Sequence, residues 1–200
     1  MERVTNYLAL LQQSMEQLPK ETIVRVIELL HSARLSGRQV FIMGNGGSAS
    51  TATHFVCDLS KNTRHNAWPH FKAIGLSDNM AVFSAYANDE GYENVFSQQL
   101  ANLVMPEDIV IAISASGNSK NVLNGIMFAK DQNAITVGFT GFDGGQLASL
   151  VDININVNSN IIEHVEDVHL ILEHIIVKSL REKVPSESMT PILLENVQTS

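Results

Sequence analysis

The amino-acid sequence predicts an α/β layer fold with a mainly parallel sheet. Five short runs are rich in β-branched and aromatic residues, as in VFIM at 40–43 and IVIAI at 109–113. Most of these runs are separated by segments of helical length. Strands that alternate with helices indicate a parallel sheet covered by helices, because a parallel connection needs a crossover that is usually a helix.

Each element can be placed from its apolar spacing. Apolar residues recur at intervals of three and four within 3–16 and 21–36, which predicts two helices before the first strand. A final helix is predicted from about Ile161 to Glu182. Together these elements predict one domain over 1–183. The strands are predicted at 39–43, 71–76, 108–113, 134–140 and 152–157.

The last residues, 184–200, contain Pro, Ser and Thr and have no clear apolar period. We expect this tail to be flexible or to lie on a partner subunit. It is treated as separate from the predicted domain.

Composition excludes several classes of function. The 200 residues are 44% hydrophobic, which suits one globular domain with a sizeable core. The balance of 21 acidic to 13 basic residues argues against a nucleic-acid surface, since phosphate backbones are bound by clustered Lys and Arg. There is one cysteine, no signal-peptide pattern at the N-terminus and no apolar run near 18 residues. We therefore expect a cytoplasmic protein without disulfides or membrane contact.

Two predicted strands run into loops of small polar residues. The first loop reads NGGS at 45–48, and the second reads SASGNS at 114–119. Either loop alone could be only a turn and a helix cap. Two such loops in one domain favour an anion site, because backbone N–H groups, hydroxyls and helix N-termini all bind phosphate. Neither loop fits a nucleotide fingerprint, so a sugar phosphate fits better than ATP or NAD.

Histidines and carboxylates recur at helical spacing on two predicted helices. His54 and Asp58 are four residues apart, and Glu166 and His174 are eight residues apart, so each pair can face one way. If the helices meet, two imidazoles and two carboxylates converge. Such a set suits a divalent metal such as zinc and equally suits proton transfer. Spacing alone does not separate these two uses from a solvated helix face.

Four stretches carry a resemblance to a known family. They read GNGGSASTATHFVCDL from 44, NDEGYENVFSQQL from 88, ISASGNSKNVL from 113 and IIEHVEDVHLILEHII from 161. In this order they resemble the phosphoheptose isomerases, sugar isomerase (SIS) domain proteins, over 1 to about 183. The resemblance implies a three-layer fold with a five-stranded parallel sheet. It also implies a homotetramer with active sites at subunit junctions, a zinc ion, and conversion of sedoheptulose 7-phosphate to D-glycero-D-manno-heptose 7-phosphate through an enediol.

The resemblance also implies roles for individual residues. Asp58 would be the base and His174 the second acid/base group. The metal would be bound by His54, Asp58, Glu166 and His174. The substrate would be bound by Asn45, Gly46, Gly47, Ser48, Asn88, Asp89, Ser114, Ala115, Ser116, Ser119 and Glu166.

At three of these positions the sequence departs from the family pattern. The family usually has Glu at the position of Asp58, Gln at that of Glu166 and Thr at that of Ala115. The first change retracts a carboxylate by about one C–C bond, ~1.5 Å. The second adds a negative charge, and the third removes a hydroxyl while leaving the backbone N–H groups. The four predicted metal ligands remain suited to a metal. The three departures leave the proton-transfer geometry and the substrate undetermined by the sequence.

Two functions of other classes fit the same fold. One is a scaffold resembling the DnaA-binding replication initiation factor, and the other is a sugar-phosphate sensor of the kind attached to DNA-binding domains. The retained His and carboxylate positions favour an enzyme, and no DNA-binding domain is expected in this chain. His169, Cys57 and Trp68 are predicted to be packing residues.

Overall fold

The computed structural model describes residues 1–183 and contains one five-stranded sheet. The strand order is β2-β1-β3-β4-β5, and every neighbouring pair is parallel. This confirms the predicted fold class. The strands are β1 (Gln39–Gly44), β2 (Lys72–Gly75), β3 (Ile109–Ser114), β4 (Ile135–Gly141) and β5 (Ile153–Val157).

Two helices precede the first strand, as predicted, and the others connect or follow strands. A short 3₁₀ helix, Tyr92–Asn94, lies between the fourth and fifth helices. In residues 1–183 no helix has the combination of length and apolarity needed to cross a membrane. The helices are α1 (Glu2–Glu16), α2 (Lys20–Leu35), α3 (Gly47–Lys61), α4 (Met80–Asp89), α5 (Val95–Leu103), α6 (Lys120–Asp131), α7 (Gly145–Leu150) and α8 (Ile162–Glu182).

The sheet is covered on both faces, which makes three layers. Side chains of a strand alternate between faces, so Val40 and Ile42 join a core with α2, α3 and α8. Phe41 and Met43 join a second core with α5, α6 and α7. All six residues of β3 are buried, as expected for a central parallel strand. The face that carries α3 and α8 is the one that matters for the site.

The strand order reverses direction at β1. The chain leaves β1 for β2 on one side, and β3 lies on the other side. In open parallel sheets the connections separate at such a switch point and leave a crevice at the carboxyl ends of the two strands. The two loops of small residues, 45–48 and 114–119, follow β1 and β3. The topology therefore places both predicted loops at this crevice.

The three predicted packing residues differ in their outcome. Trp68 is buried and its Nε1–H donates to the Lys183 carbonyl at 3.1 Å, so its prediction is confirmed. His169 is also buried. For Cys57 the prediction was wrong, because this residue is exposed on α3. The tail 184–200, which we expected to be flexible, lies outside the described residues.

Buried His169 gives the fold a dependence on pH. Its Nε2–H donates to the Thr140 carbonyl at 3.1 Å, and burial lowers the pKa of the imidazole to about 4 despite that hydrogen bond. The unfolded chain, with a histidine pKa near 6.5, binds a proton before the native state does. The stability that comes from this residue is therefore complete above pH 6.5 and is lost as the pH falls towards 4.

We expect the free energy of unfolding to fall by about 2 kcal/mol from pH 7 to pH 5 through this residue. Urea unfolding at several pH values, compared between wild type and His169→Gln, measures the effect. The variant should show a shallower loss of stability over this range, since glutamine does not titrate. Equal slopes in the two proteins would show that His169 is not the group responsible.

Candidate active site

The loop after β1 brings its backbone and Asn45 to the crevice. The Asn45 side-chain amide donates to Asn121 Oδ1 at 2.8 Å, and Tyr92 Oη–H donates to Asn45 Oδ1 at 2.8 Å. Sequence reasoning missed both of these partners. They fix the orientation of the Asn45 amide, so this side chain is held in place before any ligand arrives.

The same loop passes close to α8 at Gly47. A Cβ atom placed on this glycine would lie 2.7 Å from Oε1 of Glu166, which is closer than real Cβ contacts. Because the residue is glycine, the Glu166 carboxylate can lie against the first turn of α3. This contact joins the loop after β1 to the final helix.

The loop after β3 forms the other wall of the crevice. Gly117 has φ +62°, a conformation that favours glycine. Its N–H donates to the Ser114 carbonyl at 3.0 Å, which tightens the turn. Ser119 is the N-cap residue of α6 but makes no side-chain capping hydrogen bond. Its hydroxyl is therefore not committed to the helix.

Between the two loops lies a cleft of about 310 Å³. Seven of its ten lining residues are ones that the sequence predicted for substrate or metal binding. The lining consists of Asn45, Ser48, Ile113, Ser114, Ala115, Ser116, Ser119, Phe142, Ile162 and Glu166. Serine hydroxyls and the N-terminus of α6 on one wall suit a phosphate group.

The predicted residues Asn88 and Asp89 do not line this cleft. They end α4, where the Asn88 side-chain amide donates to Asp89 Oδ1 at 2.7 Å. Asp89 lines a separate groove together with Val82, Tyr86 and other residues of α4. Within the described part of a single chain, these two residues lie apart from the cleft, and their role as sugar contacts stays a prediction.

Four potential metal ligands converge where α3 meets α8. One nitrogen or oxygen atom from each of His54, Asp58, Glu173 and His174 lies within 4.8 Å of the others. His54 Nε2 is 3.7 Å from Asp58 Oδ2, and His174 Nε2 is 3.3 Å from Glu173 Oε2. The two imidazole rings are 5.0 Å apart. Two imidazole nitrogens and two carboxylates form a ligand set that zinc accepts.

The four groups differ in their access to solvent. The side chains of His54 and His174 are 43% and 51% exposed, whereas those of Asp58 and Glu173 are 12% and 0% exposed. Asp58 Oδ1 accepts a hydrogen bond from the Asn62 side-chain amide at 2.6 Å. Burial, and secondarily the charge of Asp58, raises the pKa of the Glu173 carboxyl to about 8. The histidines therefore face the opening of the site, and Glu173 forms its floor.

The convergent group differs from the predicted metal set at one position. Glu173 belongs to this group, whereas Glu166 lines the cleft, and the metal role predicted for Glu166 stays a prediction. Eight residues separate Glu166 from His174, a rise of about 12 Å along the helix. Glu173 was missed because it follows the apolar spacing of α8, where Leu172 and Ile176 are buried. A carboxylate within that buried stripe was the signal that could have identified it.

A five-stranded parallel sheet with a cleft at its switch point is the arrangement expected of a SIS domain protein. Comparisons with known proteins support this class. The SIS domain family model matches residues 5–141, so the chain belongs to the SIS domain proteins. It is 40% identical to a probable phosphoheptose isomerase from Thermoplasma acidophilum over 163 residues, 82% of this chain and 89% of the relative. It is 36% identical to a phosphoheptose isomerase from Geotalea daltonii over 179 residues, 88% and 93% of the two chains.

Solved structures support the same family. The phosphoheptose isomerase of Francisella tularensis is 28% identical, with a TM-score of 0.82 over 91% of this chain and 98% of that chain. The enzyme of Neisseria gonorrhoeae is also 28% identical, with a TM-score of 0.81 over 90% and 97%. The chain therefore belongs to the phosphoheptose isomerase family of sugar-phosphate isomerases. Membership of this family identifies the protein as an enzyme.

Proposed function

We propose that this protein converts sedoheptulose 7-phosphate to D-glycero-D-manno-heptose 7-phosphate. The observation that carries the proposal is the cleft at the switch point, which has a serine-rich loop on one wall and shares helices α3 and α8 with a cluster of histidines and carboxylates. Relatives of the chain are named phosphoheptose isomerases, which supports a heptose phosphate as the substrate. A phosphate site and a proton-transfer site are the two parts that isomerisation of a sugar phosphate requires.

The phosphate would be bound at the loop after β3. Ser114, Ser116 and Ser119 provide hydroxyls in the cleft, and the first turn of α6 adds free N–H groups and the positive end of its dipole. Ala115 provides backbone N–H but no hydroxyl. Binding at this end would hold the other end of the sugar near α3 and α8, which lowers the entropic cost of reaction.

Proton transfer would take place at the cluster between α3 and α8. Asp58 would remove the proton from C1 of the ketose, which gives a cis-enediol, and His174 would serve as the second acid/base group as a proton returns to C2. Asp58 is mostly buried, while His174 is half exposed at the mouth of the cluster. Asn45, held by Asn121 and Tyr92, and Glu166 would contact the sugar hydroxyls.

We further propose that the cluster binds a divalent metal, most suitably zinc, with His54, Asp58 and His174 among its ligands. The donor set fits such an ion, because two imidazoles and carboxylates make a compact nitrogen and oxygen site. When bound, the metal would supply Lewis-acid stabilisation of the negative charge on a sugar oxygen.

Turnover tests the proposed substrate directly. Metal-replete protein is incubated with sedoheptulose 7-phosphate, and the aldose product is followed by NMR. Fructose 6-phosphate, which is one carbon shorter, is the matched control for chain length. The proposal predicts turnover of the heptose phosphate in preference to the hexose phosphate, and no turnover of the heptose phosphate would contradict it.

Metal content tests the metal part of the proposal. Zinc should co-purify at about one ion per subunit, and His54→Ala should abolish this binding because it removes one of four convergent ligands. His70→Ala, on an exposed histidine outside the cluster, is the matched control and should retain zinc. Elemental analysis of the three proteins makes the comparison. Full activity in untreated protein that contains no metal would remove the metal from the mechanism.

We also propose that the protein is a homotetramer with its active sites at subunit junctions. On α1, Val4 and Leu8 are 62% and 58% exposed, and the largely apolar α4 buries none of its residues in the described chain. Both helices would gain by burial against another copy. Light scattering at micromolar concentration should give four times the mass of the chain, and a monomeric mass would contradict the shared site.

A further inference from the structure

Phe142, directly after β4, has a backbone conformation that is uncommon for a bulky residue. Its φ is +52°, in the left-handed region that suits glycine and asparagine but makes an aromatic residue an outlier. The other non-glycine residues with positive φ in the described chain are Glu107 and Asn133, and neither lines the cleft between the two loops, whereas Phe142 does. Because strained residues persist chiefly at ligand sites, a function for this phenylalanine is expected in the cleft.

Three hydrogen bonds hold the backbone at this position. The Phe142 N–H donates to the Ser159 carbonyl at 3.1 Å, and the Asn156 side-chain amide donates to the Phe142 carbonyl at 3.2 Å. The preceding residue, Gly141, donates its N–H to the Ala115 carbonyl at 2.9 Å. Phe142 is therefore fixed between the loop after β5 and the loop after β3, beside the serines that we propose bind phosphate.

The lining of the cleft combines hydroxyl groups with apolar side chains. Beside the serines, it includes Ile113, Phe142 and Ile162, a combination typical of sites for small organic ligands. Phe142 is half-buried and packs partly against the core that contains α3 and α8, so part of its surface is left for a ligand. A free phosphate ion would use only the hydroxyls and N–H groups, whereas a phosphate ester also brings carbon atoms that gain from apolar contact.

We propose that Phe142 binds the carbon chain of the sugar phosphate beside the phosphate group and so selects a phosphate ester over free phosphate. This inference deepens the proposed function and rests on its phosphate site at the loop after β3. The hydrogen bond from Gly141 to Ala115 places Phe142 at the phosphate end of the cleft, so the ring would contact the carbons next to the ester and not C1 and C2. Such a contact is the same in the bound substrate and in the transition state, so it lowers KM without changing kcat.

Substitutions at Phe142 separate the ring from the backbone conformation. Phe142→Ala removes the ring and keeps the strain, Phe142→Gly removes the ring and relieves the strain, and Phe142→Leu keeps an apolar side chain against the core. Phe128→Ala is the matched control, since Phe128 is also half-buried but lies on α6 and does not line the cleft. For each metal-replete full chain, kcat and KM for sedoheptulose 7-phosphate and the inhibition constant of inorganic phosphate are measured.

We expect Phe142→Ala and Phe142→Gly to raise KM by at least about tenfold, the usual effect of a lost apolar contact in a binding pocket, while kcat stays at the wild-type value. The inhibition constant of inorganic phosphate should not change, because free phosphate has no carbon atoms to contact the ring. Phe142→Leu should have an intermediate KM. Phe128→Ala should keep all three constants.

Urea unfolding tests the strained conformation independently of activity. Glycine ordinarily destabilises a protein relative to alanine, and Phe128→Gly in α6 should accordingly unfold at lower urea concentration than Phe128→Ala. At Phe142 the order should be reversed, since only glycine adopts a φ of +52° without cost. The same order at both positions would contradict the strained placement of the ring.

The inference is overturned if Phe142→Ala and Phe142→Gly keep the wild-type KM, or if they weaken inorganic phosphate as much as the sugar phosphate, since the ring would then only support the loop. Should neither variant fold, an unchanged KM in Phe142→Leu would overturn it equally.

Calorimetric binding of sedoheptulose 7-phosphate to the same proteins separates this result from the proposed function. Binding that depends on Phe142, without turnover, would sustain the contact and reject the reaction. Turnover with a wild-type KM in the variants would do the reverse. Absence of both binding and turnover in wild type would reject both.

Discussion

Asp58→Asn should reduce isomerisation by about 10²–10⁴-fold, the usual contribution of a general base. Asparagine has nearly the same volume as aspartate and can still pair with Asn62, whose side-chain amide lies 2.6 Å from Asp58 Oδ1. The fold and the binding of phosphate in the cleft should therefore survive. In a variant that keeps its metal, the loss would fall on the proton-transfer step.

The measurement follows exchange of the C1 proton of sedoheptulose 7-phosphate with deuterated solvent. Because Asp58 also belongs to the convergent group, zinc content must be measured in the same samples. If Asp58→Asn keeps zinc and loses exchange, Asp58 is identified as the base. Exchange near the wild-type rate would place the base elsewhere, with His174 the next residue to test.

Asp58→Glu is the matched control for this experiment. It keeps the charge, adds one methylene and restores the residue that the family usually carries. We expect exchange to persist in this variant, with an altered preference among sugar phosphates where the longer side chain displaces the substrate. A loss as large as that of Asp58→Asn would show that the position of the carboxylate, and not only its charge, limits the reaction.

The strands and the outer helices could be predicted from the sequence because their signals are local. The central strands are continuous apolar runs such as IVIAI at 109–113, and buried parallel strands have this pattern. The two N-terminal helices and α8 have regular apolar spacing, so their predicted ends agree with the structure to within one residue. Both loops were found for the same reason, since glycine and serine after a strand form a local pattern.

The residues that sequence reasoning missed depend on contacts between distant parts of the chain. Asn121 lies 76 residues from Asn45, and Tyr92 lies 47 residues from it, so no local pattern joins them. Glu173 was missed because the position where α3 crosses α8, not helix periodicity alone, determines which residue of α8 meets His54.

Gly117→Ala should disrupt the loop after β3, which we propose binds the phosphate, and lower stability by about 3 kcal/mol or more. Gly117 has φ +62°, and a Cβ atom placed there would overlap the carbonyl oxygen of Gly144. Its own carbonyl accepts a hydrogen bond from Leu147 N–H at 2.9 Å, so the loop cannot withdraw without breaking its contact with α7. The substitution should also raise the KM for the sugar phosphate, because the serines of this loop would move.

Gly46→Ala is the matched control, since Gly46 has a similar φ of +53° but no atom within 4 Å of its added Cβ. With φ +53° and ψ −122°, it carries the cost of a backbone conformation that favours glycine without the overlap, about 1–3 kcal/mol. Urea unfolding of the two variants and wild type gives both costs on one scale. The difference between the free energies of unfolding of the two variants measures how strongly the turn after β4 restrains the loop after β3. Equal costs would show that this turn yields to the added methyl group.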